Sequence, residues 1–134
     1  MLRPLLTAVL IGTLASLSSA QNPFRVNEII TQPTAGDQIV ELINTAGTPQ
    51  DVFGVNLCLQ FIYYAMPPQV VPAGGTIRVH IGVAGTDTAT DFFTGAFPLM
   101  NPAQDGFSLY RPGGGFGFFG NPINIIDYVQ WGAG

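Results

Sequence analysis

The pattern of apolar and polar positions divides the chain near residue 20. Residues 5–17 form an apolar run relieved only by small side chains. Beyond it, short segments of alternating character take over, each bounded by glycine, proline or aspartate. The alternation is cleanest over residues 76–81, where Ile77, Val79 and Ile81 share one face and Arg78 and His80 the other, the period of a half-buried strand. Comparable runs predict strands over 25–31, 38–44, 57–64, 69–71, 107–111 and 123–130. The first two flank Gln32-Pro33-Thr34-Ala35-Gly36-Asp37 and read as a hairpin. Stretches 45–54, 82–95 and 112–122 carry the turn residues and read as connections. Glycine or proline interrupts nearly every window before an i, i+3, i+4 stripe completes three turns, so no helix is expected. Short strands at this spacing predict an all-β fold, a two-sheet antiparallel sandwich with Val40, Leu42, Ile77, Val79, Leu109 and Val129 in its core.

The first twenty residues read differently. Arg3 precedes the apolar run, and Ser18-Ser19-Ala20 follows it with the small residues of a cleavage site. That order is the signature of a secretory signal peptide over residues 1–20, with Gln21 as the mature N-terminus and a periplasmic or secreted destination. A retained anchor would need about 20 predominantly apolar residues, and this run is shorter and holds Gly12, Thr13 and Ser16. No later stretch is long enough to span a bilayer. Cleavage leaves 134 − 20 = 114 residues, enough for one domain at 21–134.

Charge narrows the partners. The mature side chains carry Arg25, Arg78 and Arg111 against eight acids, about −5, with no lysine. Nucleic-acid binding rests on clustered Lys and Arg that neutralise phosphate, so this composition argues against it and against an anionic membrane surface. Cys58 is the only cysteine, which rules out an intramolecular disulfide. Within Leu57-Cys58-Leu59 it reads as a small buried hydrophobe rather than a partner for another chain.

Several segments together resemble the lamin tail domain family. Val26-Asn27-Glu28-Ile29 with Ile39-Val40-Glu41-Leu42-Ile43-Asn44 is similar to its opening hairpin. Gly54, then Pro72-Ala73-Gly74-Gly75 before Thr76-Ile77-Arg78-Val79, Asp105-Gly106-Phe107-Ser108-Leu109-Tyr110 and Ile126-Asp127-Tyr128-Val129-Gln130-Trp131-Gly132 follow in order. The resemblance spans about residues 25–132 and implies an immunoglobulin-like antiparallel β-sandwich. It departs at Val55, where the family often has an aromatic residue, and it lacks the coiled coil and lipidated C-terminus of the nuclear members. It therefore implies an exported module of the bacterial type, not chromatin or nuclear-membrane contacts.

Candidate chemistry is sparse. Gly115-Phe116-Gly117-Phe118-Phe119-Gly120 has G-x-G-x-x-G spacing, but Asn121-Pro122 and a β run follow instead of the helix that would face a pyrophosphate. Beyond the leader there is one serine (Ser108), one histidine (His80) and one cysteine, with no nucleophile elbow and too few ligands for structural zinc. No catalytic residue, metal or cofactor is expected, and His80 reads as an ordinary surface histidine. If the first hairpin is symmetric about Thr34 and Ala35, Glu28 opposes Glu41. Such a like-charge pair suits a cation or one raised pKa, unless the register slips or each glutamate bonds a nearby loop. Asp87 and Asp91 read as solvated acids of one loop, since no calcium-loop pattern accompanies them.

The expected function is a non-catalytic interaction or structural module with a protein or extracellular-surface partner. The candidate partner surface is Phe116, Phe118 and Phe119, three aromatics on a glycine-rich loop that either cap the core or stay exposed as anchors. The alternative is a carbohydrate-binding sandwich, for which Tyr63, Tyr64 and Trp131 are the rings to examine.

Overall fold

Alternation sets the layers. In β2 (Gln38–Asn44) Val40, Leu42 and Asn44 are buried, while Ile39, Glu41 and Ile43 lie on the other face. β7 (Thr76–Ile81) repeats the pattern with Ile77, Val79 and Ile81 inward. The computed structural model describes residues 22–32, 37–113 and 117–133. The expected leader, residues 1–20, and Phe116 lie outside them.

The described residues form ten strands. The first sheet runs in the order β1 (Phe24–Ile30), β2, β7, β8 (Asp91–Phe93). The second runs β10 (Ile125–Trp131), β9 (Asp105–Tyr110), β4 (Asn56–Leu59), β5 (Ile62–Ala65). A short pair, β3 (Gln50–Asp51) with β6 (Val70–Val71), completes the set. Val40, Leu42, Ile77 and Val79 from the first sheet and Leu57, Leu59, Phe107 and Leu109 from the second belong to one buried cluster. The fold is an all-β sandwich, as the alternation predicts. The helical element among the described residues is a single 3-10 turn, Pro122–Asn124.

The sequence expectation needs four corrections. Residues 57–64 are not one strand. Gln60 and Phe61 both take left-handed backbone (φ 51° and 64°) and fold the run into a hairpin, β4–β5. The sandwich is not wholly antiparallel either. β8 lies within the Thr- and Asp-rich stretch read as a connection and pairs parallel to β7. Residues 82–90 return along the sheet so that Arg78 donates its N–H to the Thr90 carbonyl at 2.8 Å. β3 likewise lies within a predicted connection, 45–54. Finally, Val129 is half-buried rather than in the core. It faces inward at the open seam between β1 and β10, where a groove of about 440 Å³ is lined by Val26, Ile29, Val129 and Trp131.

Two features pin the layers. Buried Asn44 donates through Nδ2 to the carbonyls of Thr48, Val71 and Pro72 at 3.0–3.1 Å and accepts from Ala46 N–H at 2.9 Å. It thereby ties the 45–49 turn to β6 and to the 72–75 turn. Across the seam, both edge strands carry a register shift, β1 between Val26 and Glu28 and β10 between Ile125 and Asp127. There the Asp127 carboxylate accepts the Val26 N–H at 2.9 Å, satisfying an edge donor that has no ladder partner. No helix among the described residues is long and apolar enough to cross a membrane.

Candidate binding site on the outer face of the second sheet

The register of the second sheet brings four residues into one row across all its strands. Tyr128 on β10 opposes Ser108 on β9, Ser108 opposes Cys58 on β4, and Cys58 opposes Tyr63 on β5. Their inward neighbours Phe107, Leu109, Leu57 and Leu59 are buried in the core, so the row lies on the outer face. Small residues in the middle and tyrosines at both ends form a trough of about 640 Å³, also lined by Gln60, Phe61, Asp105, Gly106, Tyr110 and Phe119.

Each wall has a local cause. Gly106 opposes Gln130 in the neighbouring row, and its missing side chain makes room for Tyr128. A Cβ there would sit 2.8 Å from the Tyr128 hydroxyl oxygen and 3.3 Å from Cε2. The Tyr128 ring therefore leans over the sheet, still 53% exposed, and its hydroxyl donates to Gln130 Oε1 at 3.1 Å. At the other wall Phe119 stacks on Tyr63, ring centroids 3.7 Å apart at 16°, and meets Tyr110 edge-on at 5.2 Å. Asn121 and Asn124 hold the connection that carries Phe119. Asn121 Oδ1 accepts from Ile123 N–H at 3.1 Å, and Asn124 Nδ2 donates to the Phe118 carbonyl at 2.7 Å.

The third wall is the left-handed turn. Gln60 Nε2 donates to Asp105 Oδ2 at 3.1 Å and to the Leu99 carbonyl at 3.3 Å. Asp105 also accepts the N–H groups of Asn101 and Gly106, both at 2.9 Å. Burial works to raise the Asp105 carboxyl pKa, but these three donors outweigh it and hold it below the ordinary carboxylate value. Phe61 at the tip is 89% exposed. Left-handed backbone at two successive non-glycine residues costs about 1–2 kcal/mol each, and here it displays an aromatic ring to solvent.

The trough is poorly equipped for acid–base or nucleophilic work. Burial first of all raises the Cys58 thiol pKa, against hydrogen bonds involving Tyr63 and the Phe61 backbone. Desolvation, followed by the Cys58 thiol and Tyr110, pushes the Tyr63 phenol up to about 12. Both groups stay neutral at physiological pH, and a neutral thiol is a weak nucleophile. Ser108 is in this trough, whereas His80 is on the outer face of the opposite sheet.

That opposite face carries the charged groups. Glu28, Glu41, Arg78 and Asp91 share one row across β1, β2, β7 and β8. The symmetric register expected for the first hairpin is therefore present, with a one-residue bulge at Asn27, whose amide donates to Glu41 at 2.6 Å. Arg78 pairs with Asp91 at 2.7 Å. His80 is no ordinary surface histidine. Its side chain is 15% exposed, with Nδ1 3.0 Å from Asp37 and Nε2 3.1 Å from Asp91, and its ring stacks on Phe93 at 4.4 Å. Asp91 is not a free loop acid. The Thr90 hydroxyl above all, then His80 and Arg78, lower its carboxyl pKa. Asp87 accepts the Phe93 N–H at 2.9 Å. No group of three or more His, Cys, Asp or Glu side chains arranged to hold a metal occurs among the described residues.

The three aromatics read from the 112–122 loop separate. Phe116 lies outside the described residues; Phe118 and Phe119 are half-buried, in edge-on contact at 5.6 Å. Phe119 rests on the outer face of the second sheet, against Tyr63 and Tyr110. Of the rings considered for sugar stacking, Tyr63 joins the trough. Tyr64 packs against the core, and Trp131 lies in the seam groove with its indole N–H on the Asn101 carbonyl at 2.9 Å. Tyr128, Tyr110, Gln60 and Phe61 were not legible as site residues, because placing them needs the register between β10, β9 and β4 and the break in residues 57–64. No protein-family model matches the chain, and no curated protein matches it.

Proposed function

We propose that this chain is an exported, non-catalytic binding module that engages an extracellular partner through the outer face of its second sheet. The observation that carries the reading is the gathering of Tyr63, Tyr128, Phe61 and Phe119 around one trough, with Tyr128 and Phe61 largely exposed. Exposed aromatic rings on a rigid sheet supply contact area at small cost in conformational entropy. The non-catalytic part rests on the separation of Ser108 from His80 and on the raised pKa of the Cys58 thiol. Export rests on the leader-like residues 1–20, and membership among lamin-tail-like modules rests on the ordered segments between residues 25 and 132.

The test is equilibrium binding of the mature protein to a panel of extracellular glycans and secreted proteins, beside a Tyr63→Ala/Tyr128→Ala variant. The expected result is at least one partner that the variant loses while its thermal midpoint stays within a few degrees. A partner retained in full by the variant would move the site elsewhere. Chemical turnover of any panel member would overturn the non-catalytic reading.

A further inference from the structure

Building on the binding-module reading, we infer that the ligand of the trough is a neutral oligosaccharide of hexopyranose units. The argument starts from the floor. Ser108 and Cys58 are both small, so a ligand can lie close against the sheet between the aromatic walls. Tyr63 and Tyr128 stand at the two ends of a four-strand row. Three inter-strand spacings of about 4.8 Å separate their backbones, roughly 14 Å. That is the reach of a short chain of sugar rings, not of one ring.

The aromatic geometry suits a pyranose. A hexopyranose with equatorial hydroxyls presents flat faces of axial C–H bonds, which pack on an aromatic face, and a rim of hydroxyls, which need hydrogen-bonding groups at the side. Tyr128, with Gly106 beneath it, offers a ring more than half exposed, and Phe61 offers another at the turn. Between them stand Gln60 and Ser108, whose side chains suit neutral hydroxyls. Gln60 is already oriented by its bonds to Asp105 and Leu99, so it loses little freedom when it binds.

Charge selects among sugars. Among the described residues no arginine, lysine or histidine lines the trough, and Asp105 contributes a carboxylate whose pKa is lowered. A uronate or sulfated chain would meet that carboxylate with no cation to offset it, on a protein of net charge −4. An extended peptide is less well served, because an exposed sheet edge and spaced apolar sockets are what a peptide strand needs. The trough instead crosses the strands of its own sheet.

Isothermal titration of the mature protein with short β-1,4-, β-1,3- and α-1,4-linked glucose oligomers, and with oligogalacturonate as the acidic control, tests the inference. The expected result is saturable binding of at least one neutral oligomer and none of the acidic one. Tyr128→Ala should weaken that binding about tenfold, the size of one aromatic contact. Tyr128→Phe should retain it, because the ring face and not the hydroxyl makes the contact. Gly106→Ala, which displaces the same ring, should weaken binding with the Tyr128 side chain intact, provided a near-ultraviolet spectrum shows the fold unchanged. Tighter binding of the acidic oligomer overturns the inference. So does a concentration-dependent dimer that Tyr128→Ala disperses, since a second copy would then fill the trough. If no sugar binds while a secreted protein does, and the tyrosine variant loses it, the sugar inference falls and the module reading stands. If nothing binds, both fall.

Discussion

Replacing Phe61 by glycine should stabilise the protein, an unusual direction for removing an aromatic residue. Phe61 has φ 64° and is 89% exposed, so its ring contributes almost no burial. Relief of left-handed backbone at a residue with a Cβ is worth about 1.5 kcal/mol. The extra freedom that glycine gives the unfolded chain takes back about 0.7 kcal/mol. The net gain is about 0.8 kcal/mol. With an m-value of about 1.5 kcal/mol per molar urea, the unfolding midpoint should rise by about 0.5 M. Two probes, far-ultraviolet dichroism and tryptophan fluorescence from Trp131, should move together if unfolding stays two-state. Phe61→Ala is the control, because it removes the ring but keeps the Cβ; its stability should stay within about 0.5 kcal/mol of the parent. A Phe61→Gly midpoint below the parent's, or an alanine variant that gains as much as glycine, would show that the turn is not strained. Glycine would also remove one ring from the trough. A stabilised variant with weaker ligand binding would mean that the strained turn is retained for what it displays.

Four further outcomes follow from the same structure. Leu42→Ala should cost about 2–5 kcal/mol, since Leu42 is fully buried; a loss below about 0.5 kcal/mol in urea titration would contradict its place in the core. Asn44→Ala should cost about 2–4 kcal/mol by removing its buried hydrogen bonds to three carbonyls and one N–H, and a neutral result would mean that water replaces it without loss. Asp91 has a folded pKa below its unfolded one, so its contribution is fully present above the unfolded value of about 3.9 and is lost as pH falls through the folded value. Asp91→Asn should therefore flatten the acid limb of the stability–pH curve, and an unchanged slope below pH 4 would sink that account. Secreted material should have the intact mass of a chain beginning at Gln21, with or without cyclisation to pyroglutamate; recovery of soluble protein that retains Met1 would refute cleavage.

Much of the fold was legible because burial on one face writes itself into alternate residues. Residues 38–44 and 76–81 show it, and five of the six expected core residues are buried: Val40, Leu42, Ile77, Val79 and Leu109. Legibility failed where the cause is not periodic. The Gln60–Phe61 turn lacks the glycine or asparagine that normally marks a left-handed turn, so residues 57–64 read as one strand. β8 is three residues long and held by pairing with β7, too short to declare a period. Val129 has the right parity, but it sits where the two sheets part, and parity does not report distance from a seam. The trough depends on which strands become neighbours, a property of the register rather than of any one segment. Tyr63 was therefore visible as a candidate ring while its partner across the row, Tyr128, was not.

The bond between Val26 and Asp127 joins positions 101 residues apart. At roughly 5–20 residues per second, a typical pace of synthesis, about 5–20 s separates the appearance of the two groups. A first hairpin that formed within that interval would have no partner for its outer edge, and an unpaired edge is what neighbouring chains pair with. The closing of this sandwich is thus an event in time as well as in space, set by the arrival of the last strand. A delay just before residue 125 should lengthen the vulnerable period without altering a single contact of the finished molecule.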